Sequence, residues 1–391
     1  MWLIKFWQNP INRLYAFSVF KHAAFFSAVL VPFFTEWGGI SLFQVQLLQS
    51  WFSIWVFLLE VPTGALADRL GRKHSISIGS FIIGLAVLVY GSIPNFYIFL
   101  LAEFIFAVGY AFVSGADQAL LYDTLKARGE EDKSKSVMGK YDALYLVGMT
   151  IASALGGLIA ARWGLNAPQF ATAIPMFIAA AIGYSIPEPK IHSDSQQKQY
   201  LSIVKDGLSV IKKNAVVRSL AIDSVLVASA AYFVVWFYQP VMMNLGIPIA
   251  IYGLVHAGLL LSEIAVSTNF TFLERFMGKG KDYLKNSAIL VTLSFMLMAL
   301  FPSVWSLTLF VIIGGGIGYT RATYITALAQ KHIESRIRST TLSSIGMIRR
   351  FALIFLNPLI GALATRSLYL AIFVVGILPV LSLLIQNEES A

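Results

Sequence analysis

The sequence predicts an all-α polytopic membrane protein with twelve transmembrane helices in two pseudo-symmetric six-helix bundles, and three observations carry that expectation. Of its 391 residues 57% are hydrophobic and 13% charged, and the mean hydropathy is +0.73. A chain this apolar does not make a soluble globule. Apolar runs of about twenty residues, the length that crosses a bilayer, recur between short polar stretches. Landmarks of the first half also return roughly 205 residues later, the mark of a duplicated unit.

Taken in order, the first six spans are expected near 14 to 36, 42 to 66, 75 to 94, 96 to 123, 138 to 162 and 166 to 186. The second six follow near 216 to 240, 250 to 273, 284 to 302, 304 to 328, 339 to 364 and 367 to 386. Lys5 and Arg13 precede the first span and no small-residue cleavage site follows it, so it reads as a retained helix rather than a signal peptide. The expected organisation is an N-terminal bundle over 1–186, a linker over 187–215 and a C-terminal bundle over 216–391. In the linker Leu201, Val204, Leu208 and Ile211 recur at helical spacing among Lys198, Lys205, Lys212 and Lys213. That pattern fits an amphipathic helix on the inner membrane surface or, equally, a solvated linker helix. Outside the spans, every Lys and Arg except Arg162 and Arg366 falls in the N-terminal segment or in the loops after the even-numbered helices. The positive-inside rule then places both termini in the cytoplasm. It also explains the net charge of +9 without nucleic acid.

The repeat is specific. Gly109 and Gly115 in helix four answer to Gly314 and the stretch Gly318 to Thr320 in helix ten. In helix five Ala152, Ser153, Gly156 and Gly157 answer to Asn357, Pro358, Gly361 and Ala362 in helix eleven. Asp68-Arg69 answers to Glu274-Arg275.

Between helices two and three lies Gly64-x-x-x-Asp68-Arg69-x-Gly71-Arg72-Lys73. Glycines let the chain turn sharply, and an acid with three bases holds that turn in water. This stretch resembles the signature loop of the major facilitator superfamily, G-x-x-x-D-R-x-G-R-[RK], at every specified position. The resemblance implies two parallel six-helix halves around a central cavity. It also implies a gate in which Asp68 caps a helix of the opposite half and Arg72 pairs with Asp123 at the foot of helix four; the alternative is a topological anchor that never changes partners. Gly148-x-x-x-Ala152-Ser153-x-x-Gly156-Gly157 resembles the family's antiporter motif, but Ala152 and Ser153 stand where Gly and Pro are expected. Without that proline the helix should lose its kink. Glu103 and Ala107 likewise replace the R-x-x-x-G of drug-proton antiporters.

Ionisable residues inside spans must face a cavity or pair, because each uncompensated charge costs at least ~2.5 kcal/mol in lipid. Glu60, Glu103, His22 and Asp142 are the candidate proton-coupling groups, since a desolvated carboxylate or an imidazole can bind and release a proton. Lys21, Asp223, Glu263, Arg321, Arg349 and Arg350, with the aromatics Tyr145 and Trp236, are the candidate substrate-cavity residues. By depth along their helices Glu263 and Arg321 are expected to pair, and Asp117 and Asp123 sit shallow enough to snorkel to water. The aromatics serve equally well as a lipid-facing belt.

No G-x-x-x-x-G-K-[ST], H-E-x-x-H or G-x-S-x-G occurs and there is no cysteine, so ATP-driven transport, the common hydrolytic chemistries and thiolate metal sites lose their sequence support. The expected function is secondary active transport in the inner membrane, without a cofactor or metal. The reading is proton-coupled export of amphipathic organic compounds by a monomer. The alternatives are proton-coupled uptake of an organic anion, favoured by the Lys21, Arg321, Arg349 and Arg350 set, and a transport-inactive receptor of the same fold.

Overall fold

The computed structural model describes residues 7–189, 209, 212, 214–329 and 338–384. Among the described residues there are helices, turns and no strand. Among the described residues eleven helices are long and apolar enough to cross a membrane, and a shorter apolar helix makes the twelfth. In chain order the spans are α1 (Pro10–Trp37), α2 (Leu42–Leu70), α3 (Arg72–Ser92), α4 (Phe96–Ala127), α5 (Ser134–Trp163), α6 (Ala167–Ser185), α7 (Ala215–Asn244), α8 (Ile249–Thr268), α9 (Lys281–Leu300), α10 (Val304–Ala329), α11 (Arg338–Arg366) and α12 (Leu368–Leu383). A short helix, Phe270–Met277, lies between α8 and α9. The linker helix expected over Leu201 to Lys213 falls outside the described residues.

Local chemistry sets the helix starts. Asn9, Asn95, Asn214 and Ser367 each present a side-chain oxygen to the first-turn N–H groups of α1, α4, α7 and α12, which would otherwise be unsatisfied. Ser303 and Ser306 form a reciprocal capping box at α10.

The chain divides into two compact units. Unit 1 comprises Met1–Ile40, Trp51–Ser195 and Pro248–Ala257; unit 2 comprises Ser41–Ser50, Gln196–Ile247 and Gly258–Ala391. The first ten residues or so of α2 and α8 thus group with the unit that their sequence half does not supply.

Within unit 1, α3 packs on α6 and α4. In lipid, apolar burial drives no association between helices, so close approach and hydrogen bonds must do so. A Cβ on Gly79 would stand 2.6 Å from the Gly109 carbonyl, so this crossing admits only glycine. Ser77 donates to the Ala180 carbonyl at 2.6 Å and Thr63 to that of Ala111 at 3.0 Å. The small-residue stripe of α5 does similar work. Gly148 and Gly156 lie against the Val19 and Phe25 carbonyls of α1, and Gly157 against the backbone of Ala250 and Gly253. Ser153, where the antiporter motif has proline, bonds Ser27 at 2.8 Å and the Met149 carbonyl at 2.7 Å. Lacking that proline, α5 is one unbroken helix.

In unit 2, α12 packs on α9 and α7, and α7 on α10. Ser50, at the start of α2, donates to the Ile354 carbonyl of α11 at 2.8 Å, and the Phe43 N–H donates to Thr365 at 2.9 Å.

Two interruptions matter for function. α1 leaves the helix at His22–Ala24 and resumes as a 3₁₀ turn over Phe25–Val29. α4 stops at Val113 and restarts at Ala116, with Gly115 between at φ +76°, a conformation that costs other residues about 1–2 kcal/mol.

Candidate functional site

The turn between α2 and α3 is built around Gly71, whose φ of +95° again suits glycine. Arg72, next in line, donates to the Asp123 carboxylate at the foot of α4. A second acid completes the turn. Glu188, just past α6, accepts the N–H groups of Arg72 and Lys73 through its two oxygens, each at 2.8 Å. A carboxylate here meets both the free N–H groups and the positive end of the α3 dipole. Sequence reading missed it, because an acid between Pro187 and Pro189 looks like the start of a linker. Gly64, Asp68 and Arg69 are exposed, and the Lys73 ammonium stands 5.5 Å from the Tyr184 ring.

The equivalent turn of unit 2 has no such ion pair among the described residues. Tyr324 donates its hydroxyl to Glu274 at 2.7 Å and accepts the Gly280 N–H at 2.9 Å. A neutral hydroxyl therefore stands where unit 1 uses a charge pair.

Unit 1 encloses a cavity of about 470 Å³ at the two helix interruptions. Its polar wall is made by Lys21, His22, Asp117, Gln118 and Tyr145, and its apolar wall by Phe26, Phe106, Met149 and Met176. Asp117 is the centre of the polar side. It accepts from Lys21 Nζ at 2.5 Å, from the Tyr141 hydroxyl at 2.8 Å and from the Gln118 N–H at 2.8 Å. The expected snorkelling of Asp117 is corrected. It is 5% exposed because α4 breaks two residues earlier and turns its new N-terminus inward. Asp117 occupies the first turn of the restarted helix and Lys21 the last turn of the first segment of α1, so each charge meets the helix end of opposite sign. Lys21 also lies 5.7 Å from the Phe17 ring and 6.0 Å from that of Tyr141. His22 points Nδ1 at the Ser18 carbonyl, 2.8 Å away, and packs edge-on against Tyr145 with centroids 4.2 Å apart.

The other embedded groups lie elsewhere. Glu103, 6% exposed, bonds the Tyr90 hydroxyl in a nest of Phe33, Phe34 and Phe99, away from the cavity. Glu60 is half-buried on α2, and Asp142 is exposed on α5 one residue from Tyr141. In unit 2 the expected Glu263–Arg321 pair does not form. Arg321 instead grips Asp223 of α7 with two bonds of 3.1 and 2.7 Å, and its remaining nitrogen donates to the Leu284 carbonyl and Ser287. Asp223 and Arg321 are each 1% exposed, so they act on each other rather than lining an open cavity. Glu263, Arg349 and Arg350 are half-buried, and Trp236 is buried beside Tyr232.

Gln118 and Glu188 were not among the residues singled out in advance, and Asp117 was expected only as a shallow acid reaching water. For Asp117 a signal existed in Gly115, a repeat landmark two residues upstream that here marks a helix break.

The family model described as Major Facilitator Superfamily matches residues 14–357. The chain is 24% identical over 377 residues to an uncharacterized MFS-type transporter of Methanocaldococcus jannaschii, covering 91% of this chain and 93% of that one. It is 27% identical over 184 residues to Multidrug resistance protein 2 of Bacillus subtilis, covering 45% and 44%. Among solved structures, the nucleoside transporter NupG superposes with TM-score 0.82 at 14% identity over 96% of this chain and 99% of that one. A bacterial homolog of the human lysosomal transporter Spinster, inward-facing and unoccupied, superposes with TM-score 0.77 at 16% identity over 97% and 96%. At these identities the likeness is one of fold.

Proposed function

This chain belongs to the major facilitator superfamily and is a secondary transporter rather than an enzyme, and from that premise we propose that it exports amphipathic organic compounds in exchange for protons. The observation that carries this reading is the unit 1 cavity, which sets one ion pair against aromatic and methionine side chains. Such a wall takes up an apolar body, while the few polar groups orient a single charged or polar head. The relative named for multidrug resistance supports the substrate class over the shared part of the chain. In this reading a monomer sits in the inner membrane with both termini in the cytoplasm, and transport proceeds by alternating access. The turn of Gly64, Asp68, Arg69, Gly71, Arg72 and Lys73, with Asp123, serves as the cytoplasmic latch.

The test is transport in proteoliposomes. An imposed proton gradient is expected to drive a fluorescent amphipathic amine against its own gradient, and dissipating the proton gradient to stop it. Asp68→Asn is expected to leave folding intact and slow that flux; unchanged flux refutes the latch. Uptake of organic anions is the second reading, favoured by Lys21 at the cavity wall and by the Arg349-Arg350 pair on α11. Gradient-driven accumulation of an anion with no flux of amines would establish it instead.

A further inference from the structure

Each unit carries an ion pair between its first and fourth spans, part-buried in unit 1 and fully buried in unit 2. In unit 1 it joins Lys21 to Asp117, and in unit 2 Asp223 to Arg321. The second pair follows the first by 202 and 204 residues, close to the internal repeat, with the signs exchanged between the helices. The same position is thus filled twice, in two chemically different ways.

In unit 2 the pair is sealed. Arg321 spends its donors on Asp223, Leu284 and Ser287, inside a helix packing with nothing to displace it. The unit 1 pair stands at two broken helix ends on the wall of the cavity. Its partners are unequal. Asp117 keeps two donors that cannot leave, the backbone N–H of Gln118 and the hydroxyl of buried Tyr141, together with the N-terminal end of a helix. Lys21 ends a four-carbon stem, and beyond Asp117 its ammonium lies near the rings of Phe17 and Tyr141. The carboxylate is therefore fixed and the ammonium exchangeable.

We propose that Asp117 is a single-cation exchange site, occupied in turn by the ammonium of Lys21 and by an organic cation whose apolar body lies against the cavity aromatics. When the organic cation takes the carboxylate, Lys21 gives one proton to water and becomes a neutral amine. One positive charge enters and one leaves, so the net charge of the site does not change and Asp117 is never left uncompensated in a low-dielectric cavity. The titratable groups facing the pair are His22 on α1, Tyr110 on α4 and Tyr141, Asp142 and Tyr145 on α5; α3 and α6 present only apolar side chains to the cavity. Among these Asp142 adds a second negative charge within electrostatic reach, which favours a cation over an anion. This assignment rests on the exporter reading and sharpens it, because ligand binding that expels a proton is the elementary step of exchange.

Tetraphenylphosphonium and tetraphenylborate, alike in shape and opposite in charge, test it on the full-length protein in detergent. Calorimetric titration in two buffers of different ionisation enthalpy counts the protons. The phosphonium is expected to bind with release of about one proton and the borate not to compete with it. Lys21→Gln is expected to bind the phosphonium without proton release, and Asp117→Asn to bind it roughly 30-fold more weakly or worse. Lys21→Gln/Asp117→Asn, which leaves no uncompensated charge, shows by its melting temperature whether the single variants fail through folding, and it is expected to fold and not to bind. Phosphonium affinity unchanged by Asp117→Asn, no proton release by the wild type, or tighter binding of the borate each overturns the assignment. Proton-driven phosphonium flux in proteoliposomes without binding-linked proton release sinks the exchange site and leaves the exporter reading. Proton release on binding with no gradient-driven flux does the reverse.

Discussion

Glu188 caps α3 from outside that helix, and its worth can be stated. Loss of a good N-terminal cap costs about 0.5–2 kcal/mol, so Glu188→Gln, which keeps the shape and removes the charge, is expected near the lower end. A fall of a few degrees in the detergent melting temperature checks it, with Glu188→Ala falling further. Equal melting of all three proteins rules the cap out as a stabilising contact. Asp223 and Arg321 make a harsher case. Removing one partner of a buried pair costs about 3–5 kcal/mol, whereas replacing both with apolar residues is often neutral. Asp223→Asn should therefore express poorly, and Asp223→Leu with Arg321→Met should recover much of the loss in yield and melting temperature. These partners were hidden in the sequence for a plain reason. Charge type and rough depth were readable, but which acid meets Arg321 depends on helix rotation, and Glu263 on α8 and Asp223 on α7 lie at compatible depths.

The functional elements are helices that stop without a proline at the break. Pro62, Pro175, Pro240, Pro358 and Pro379 all lie inside helices, while α1 breaks at His22–Ala24, which holds no proline. Backbone left unpaired by a break is tolerated in a membrane only where it borders protein or a wet cavity, and both breaks border the unit 1 cavity. The hydropathy that reveals a span is silent about such breaks, since the residues on either side remain apolar. Close approach is more legible, because it demands small residues. A Cβ on Gly253 of α8 would overlap the Ser153 carbonyl of α5. Gly253→Leu is accordingly expected to separate these helices and cost about 1–3 kcal/mol, the usual toll of overpacking. Fluorescence-detected chromatography with a melting curve reads it, and Gly346→Leu, where a Cβ meets nothing within 4 Å, is the control.

The whole molecule offers a simple test of topology, since the chain has no cysteine of its own. A single cysteine at Glu130, in the loop between α4 and α5, is expected to react with a membrane-impermeant maleimide only in inverted vesicles, and one at Trp163 only in right-side-out cells. The opposite pattern reverses the orientation drawn from the positive charges. Span number, all-helical class and family were determined by the sequence alone, because lipid leaves a chain few ways to satisfy its backbone and the signature turn is local in the chain. The tertiary structure alone decided which charges meet. Lys21 with Asp117, Arg321 with Asp223 and Glu188 with the start of α3 are each separated by roughly a hundred residues. Such pairings follow from the rotation and breakage of packed helices; Gly115 hints at one break, and composition, spacing and hydropathy carry no record of the rotation.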